Sequence, residues 1–264
     1  VKIHIISDLF LGFSEFGLEE EQIPDVDLVI INGNIGPLKR SVLYTETLCN
    51  KYPDTQFIMN LGLIEQSWVE KYFGENHESI EVRKKANVSW PKNLHYGKEQ
   101  CSIHLRDGDI ANVLCAYGFP KIHSISGNWT DTMWHKYHFM NIAEINSPEG
   151  EQFKPKETSD VLHGVFPIPA TKDWINQQHN IEWQKVKKWE VTPITGRRIL
   201  VTHINPYKDS RSNGCTVSPY LIHLEHGTWI ASDTACNGVT FLGGKLYANP
   251  GRGPEARSKV ITIN

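Results

Sequence analysis

Two short apolar runs near the start of the chain, Ile3-His4-Ile5-Ile6 and Leu28-Val29-Ile30-Ile31, each break into polar residues and glycine. The first continues as Ser7-Asp8-Leu9-Phe10-Leu11-Gly12 and the second as Asn32-Gly33-Asn34-Ile35-Gly36. Nearly continuous apolar runs of this length predict strands buried on both faces, as in a parallel sheet, with their C-terminal ends opening into loops. A third run, Gln56-Phe57-Ile58-Met59-Asn60-Leu61, again ends at a glycine, Gly62. Between the second and third, residues 41–52 predict a crossover helix with Val42, Leu43 and Leu48 on its apolar side and Pro53 as its stop. Another helix is predicted over 67–73. Strands and helices alternating at this spacing give right-handed βαβ units. Ligand sites in such sheets form at the strand ends.

The pattern changes after residue 93. Ser102-Ile103-His104-Leu105 and Ala111 to Ala116 flank the turn Arg106-Asp107-Gly108-Asp109, which predicts a hairpin. A polar, proline-bearing stretch around 145–170 reads as a long surface loop or insertion. A helix is predicted over 171–189, with Trp174, Ile175, Ile181, Val186 and Trp189 as its apolar contributors. Arg198 to Thr202 predicts a buried strand that delivers His203 to a loop. Residues 239–242, 245–251 and 258–263 predict C-terminal strands. The expected architecture is α/β: one domain over 1–264, built on two packed sheets.

Composition narrows the classes. Hydrophobic residues make up 39% of 264, with eight Trp, enough for a substantial core. The net charge of −3 argues against non-specific nucleic-acid binding. Five scattered cysteines with no C-x-x-C pair fit reduced thiols. No apolar run reaches membrane-spanning length and no leader-like segment opens the chain, so a cytoplasmic protein without a membrane partner is expected.

The strand-end residues carry a resemblance. Asp8-Leu9-Phe10, Gly33-Asn34, Gly62-Leu63-Ile64-Glu65, Val201-Thr202-His203-Ile204-Asn205-Pro206 and Ser232-Asp233-Thr234-Ala235 before Asn249-Pro250-Gly251 follow one another in the order of the five motifs of calcineurin-like metallophosphoesterases. Asn93-Leu94-His95-Tyr96 and Gly127-Asn128-Trp129-Thr130-Asp131 are similar to a further segment of one branch of that family. The resemblance spans nearly the whole chain and implies a two-sheet β-sandwich flanked by helices, a four-layer α/β/β/α arrangement. It also implies a two-metal phosphoesterase, in which paired cations clamp the attacking hydroxide and the phosphoryl oxygens.

The motifs depart from that chemistry. D-x-H carries Phe10 in place of its histidine, the bridging carboxylate of G-D becomes Asn34, and G-N-H becomes Gly62-Leu63-Ile64. Only T-H-x-x-P is intact, at His203, while G-H-x-H carries Asp233 and Ala235 in place of its histidines. The residual ligand set is Asp8, Asn34, His203 and Asp233, with no catalytic set that can be named. Buried carboxylates without a metal are costly, so apolar filling at Phe10, Leu63, Ile64 and Ala235 is physically coherent. Each retained residue has two readings: His203 as ligand or as a hydrogen-bonded strand-end histidine, Asp8 as ligand or as a cap for loop amides, Asp233 as ligand or as turn chemistry. Phe10 is filler, or a gate that stacks on a base.

Two functions follow as expectations. One is a degenerate phosphoesterase, weak or inactive in catalysis, that binds a protein partner or a nucleotide-like ligand. The other is a hydrolase of phosphomonoesters or phosphodiesters with one divalent metal (Mn, Zn or Fe) weakly held by His203, Asp233 and Asn34. Nucleic-acid binding without catalysis is a third, marked by a steep salt dependence.

Overall fold

A computed structural model of the chain describes residues 1–9, 22–36, 38–62, 65, 90–97, 100–116, 118, 121–122, 172–203, 215–216, 227–230, 238–242, 245–249 and 258–263. In chain order the elements are β1 (Lys2–Ile6), β2 (Leu28–Asn32), α1 (Leu38–Lys51), β3 (Gln56–Asn60), β4 (Leu94–Tyr96), β5 (Cys101–His104), β6 (Ile110–Ala116), β7 (Lys121–Ile122), α2 (Lys172–Val191), β8 (Arg197–Thr202), β9 (Cys215–Thr216), β10 (Thr228–Ile230), β11 (Gly238–Leu242), β12 (Lys245–Asn249) and β13 (Ser258–Thr262).

The strands form two main sheets. The first has the order β13-β1-β2-β3-β4 and the second β11-β12-β10-β8-β6-β5, with β7 and β9 paired separately. In the first sheet β1 to β4 run parallel and β13 joins β1 antiparallel. In the second, β6, β8, β10 and β12 are parallel, and the antiparallel strands β5 and β11 close its edges. The apolar runs thus become parallel strands, and β2 is buried along its whole length.

Alternation along the strands divides the core. Ile3, Ile5, Leu28, Ile30 and Ile58 from the first sheet pack with Val113, Cys115, Ile199, Val201 and Ile230 from the second, so the two sheets face each other. Ile6, Val29, Ile31, Phe57 and Met59 point the other way, onto Val42, Tyr44, Leu48 and Cys49 of α1. On the far side of the second sheet Leu114, Leu200 and Trp229 meet Val186 and Trp189 of α2. Each fully buried side chain of this size contributes about 1.5–3 kcal/mol of burial free energy.

The helices predicted over 41–52 and 171–189, the hairpin and the C-terminal strands are present, with two corrections in detail. Leu43, expected on the apolar side of α1, is 61% exposed, and Ile181 of α2 is 45% exposed. In α1 only positions 43, 47 and 50 are exposed among 41–50. Over these positions that i, i+4, i+7 stripe is the outward face, so Leu43 sits on the side turned to solvent while Ser41, Thr45 and Glu46 are buried. The helix end is tied down from outside: Asn93 Nδ2 donates to the carbonyls of Cys49, Tyr52 and Thr55, satisfying carbonyls a helix C-terminus leaves open. At the end of α2, Arg198 donates to the carbonyls of Trp189 and Thr192 and lies over the Trp189 ring. The helix predicted over 67–73 and the insertion around 145–170 lie outside the described residues. Among the described residues no helix is long and apolar enough to cross a membrane.

Candidate functional site

The C-terminal ends of β1, β2 and β3 from one sheet and of β6 and β8 from the other come together through Asp8, Asn34, Glu65 and His203. All four side chains are buried.

The turn after β2 is built from two consecutive left-handed residues, Gly33 (φ 79°) and Asn34 (φ 53°). Asp8, after β1, has the same φ of 53°. Asp and Asn tolerate this region better than other residues with a side chain, because their short polar groups bond locally. Here they bond to each other. Asn34 Nδ2 donates to Asp8 Oδ1 at 3.0 Å, and the Asp8 amide donates to the Gly33 carbonyl at 3.0 Å. The orientation of the Asn34 amide follows from chemistry, since turning it over would set two acceptors face to face.

The same turn points successive amides at one place, a concavity of the kind that binds anions. Glu65 fills it. Its Oε2 accepts from Asn34 N and Gly62 N, each at 2.9 Å. Its Oε1 accepts from Ile35 N at 2.6 Å, Gly36 N at 3.2 Å and Ser41 Oγ at 3.0 Å. The single Ser41 hydroxyl proton is shared with the Gly36 carbonyl, 2.8 Å from Oγ. One carboxylate therefore fastens the β2 loop, the β3 loop and the first turns of α1. Close approach requires both glycines. A Cβ on Gly33 would lie 2.4 Å from Gly62 N, and one on Gly62 would lie 2.4 Å from Asn34 N.

On the second sheet, His203 follows β8. Its Nδ1 lies 3.1 Å from the Asn32 carbonyl. A carbonyl only accepts, so Nδ1 carries the proton and Nε2 is the lone-pair nitrogen of the neutral ring. Around it runs a buried polar network: Asn32 Nδ2 to the Thr202 carbonyl (2.8 Å), Asn60 Nδ2 to Asn32 Oδ1 (2.8 Å) and Trp229 Nε1 to Thr202 Oγ1 (2.9 Å).

Of the expected ligand set, the structure brings Asp8, Asn34 and His203 to these converging strand ends. Asp233 lies outside the described residues, as do Phe10, Leu63, Ile64 and Ala235. The Asp8 carboxylate accepts from the Asn34 side-chain amide, and the Asp8 backbone amide donates to the Gly33 carbonyl. Among the described residues no three His, Cys, Asp or Glu side chains gather as a metal site. The site offers, among the described residues, the Asp8 carboxylate, toward which the Asn34 amide turns its N–H, the His203 imidazole, and the Glu65 carboxylate, which is held by backbone amides. Three features of the site's hydrogen bonding were not read from the sequence, namely Asn32, Asn60 and the anchoring role of Glu65. A signal was present, since Asn32 and Asn60 each close an otherwise apolar run just before a glycine turn.

No protein-family model matches the chain, and no curated protein does. Among solved structures, the phosphopantetheinyl hydrolase of Mycobacterium tuberculosis is similar over 100% of this chain and 96% of its own, at 11% identity and a TM-score of 0.61. A 5'-nucleotidase-like protein of Staphylococcus aureus (11% identity, 100% of this chain, 51% of that one, TM-score 0.40) and a dimetal phosphatase of Danio rerio (11%, 94% and 86%, TM-score 0.38) are more distant. The first of these shows the fold: a mixed α/β protein with two sheets, shared with that hydrolase.

Proposed function

We propose that this chain is a degenerate metallophosphoesterase-like protein that acts by binding, with two-metal phosphoester hydrolysis lost or reduced to a trace. The observation that carries the reading is the hydrogen bond from Asn34 Nδ2 to Asp8 Oδ1. Two carboxylates at that spacing need a cation or a shared proton between them, whereas an amide beside a carboxylate is satisfied by its own proton. Glu65 extends the same logic, because its charge is met by four amides and a hydroxyl. The ligand is a protein partner or a nucleotide-like molecule, met in the cytoplasm. With a net charge of −3, the chain is a poor general binder of nucleic acid.

A second reading rests on His203. An imidazole whose Nδ1–H is held by a carbonyl keeps Nε2 as the basic nitrogen, the usual arrangement of a metal-binding histidine. With Asp233 and Asn34 it would hold one divalent ion and hydrolyse a phosphomonoester or phosphodiester.

One experiment separates the two. Metal content is measured on untagged protein soaked in Mn²⁺ or Zn²⁺, and hydrolysis of bis-p-nitrophenyl phosphate and of a phosphopantetheinylated carrier protein is assayed beside it. The binding-protein reading expects no stoichiometric metal and no turnover above background. Hydrolysis at ordinary enzyme rates that disappears in His203→Ala replaces it with the second reading.

A further inference from the structure

The two strand-end asparagines form a closed circuit around His203. Asn32 and Asn60 are register partners at the ends of β2 and β3. Asn60 Nδ2 donates to Asn32 Oδ1 at 2.8 Å and reaches the Ala116 carbonyl of β6 at 3.4 Å. That carbonyl also accepts from the His203 amide at 3.3 Å. Asn32 Nδ2 donates at 2.8 Å to the carbonyl of Thr202, the residue before His203. The Asn32 carbonyl itself takes the His203 Nδ1 proton. The circuit is buried and joins β2 and β3 of one sheet to β6 and β8 of the other.

We infer that the Asn32–Asn60 pair is a positioning device that holds His203 in its Nδ1–H tautomer and so keeps Nε2 as the ring's basic nitrogen. Both amides are spent on fixing one carbonyl and the peptide that carries the ring. Gly33 closes the remaining freedom, because its Cα faces the ring so closely that an added Cβ would lie 3.0 Å from Nδ1. A merely structural pair would stitch the sheets together and leave the tautomer indifferent. The inference rests on the reading of His203 as the functional remnant of the site, yet it does not depend on whether metal binds.

The test is ¹⁵N NMR of the full chain with labelled histidine rings, at a pH well above imidazole titration, with His203→Gln to assign the resonance. The wild-type ring is expected to show protonated Nδ1 and unprotonated Nε2. In Asn60→Ala the Nε2–H form should rise about fivefold relative to Nδ1–H, the population equivalent of one neutral hydrogen bond. If Asn60→Ala does not fold, Asn60→Ser, which keeps one donor for Asn32 Oδ1, is read instead and should show a smaller rise in the same direction. A wild-type Nε2–H tautomer overturns the inference outright, and so does a variant that is destabilised while its tautomer ratio stays unchanged. Metal stoichiometry, measured separately, tests the proposed function without touching this result.

Discussion

Asp8 and Asn34 on the first sheet and His203 on the second are equally buried, yet their polar atoms are engaged in different ways. On the first-sheet side the polar side chains bond one another and the loop backbone. Asn34 gives its amide proton to Asp8, and Glu65 gathers the amides of Asn34, Ile35, Gly36 and Gly62. On the second-sheet side the scaffold orients a ring without spending its basic nitrogen on the Asn32 carbonyl. The difference teaches that equal burial does not mean equal use of polar atoms: one half is a hydrogen-bonded joint, while the other orients an imidazole. Mutations in the first half should therefore be read in stability, and mutations in the second in chemistry.

The sharpest way to break that contrast is Glu65→Ala. It strands four buried amides, at about 1–3 kcal/mol each, so the loss should exceed about 4 kcal/mol in urea unfolding. A loss under about 1 kcal/mol would mean that the joint is ornamental. Next comes Gly62→Ala, whose new Cβ meets backbone that cannot swing aside; about 2–3 kcal/mol is expected by the same measurement. Asn34→Asp sharpens the comparison in the opposite sense. It should lower the melting temperature without divalent ions and create a Mn²⁺-dependent rise absent from the wild type, equivalent to about 2.7 kcal/mol at one hundred times the dissociation constant. An equal Mn²⁺ response in the wild type would remove the claim that the amide stands in for a cation.

A smaller effect is shared by both halves. Cys49 on α1 and Cys115 on β6 have their thiols pushed up, in each case chiefly by burial, with Glu46 adding to the first and Cys101 to the second. The folded state resists forming these thiolates while the unfolded chain does not. Their contribution to stability is therefore complete below the ordinary thiol value and erodes as pH rises above it, by at most about 1.4 kcal/mol per pH unit for each thiol. Cys49→Ala should flatten the alkaline slope of an unfolding titration, and an unchanged slope would contradict the burial argument. His203→Ala should destabilise by at least about 1 kcal/mol, since it leaves the buried Asn32 carbonyl without the ring's proton. If any metal-dependent hydrolysis exists, that same substitution should abolish it.

Much of the scaffold was legible because apolar continuity is a strong signal. Leu28 to Ile31, Phe57 to Met59 and Ile199 to Val201 could only be buried strands, and the turn at Asp107-Gly108 marked its hairpin. Leu43 and Ile181 misled because apolar identity does not say which face of a nearly enclosed helix is left to solvent. Asp8, Asn34 and His203 were found through motif order. Asn32 and Asn60 were passed over because an asparagine at a strand end looks like ordinary loop polarity; its buried partners lie more than twenty residues away in sequence. Glu65 was visible as the last letter of a motif, but its five bonds depend on how the β2 loop turns, which no local pattern encodes.

The contact between Gly33 and Gly62 has a consequence for how the sheet finds its pairing. Parallel strands buried on both faces have little in their own sequence to resist sliding by a residue, since one apolar side chain replaces another. Sliding β3 by one position against β2 would bring Leu61 or Leu63 toward Gly33, and Asn32 or Asn34 toward Gly62. The space there accepts no added carbon on either side. Only the alignment that pairs Asn32 with Asn60 lets the two loops close. The glycines thus act as a gauge, passing one register of the sheet and rejecting its neighbours.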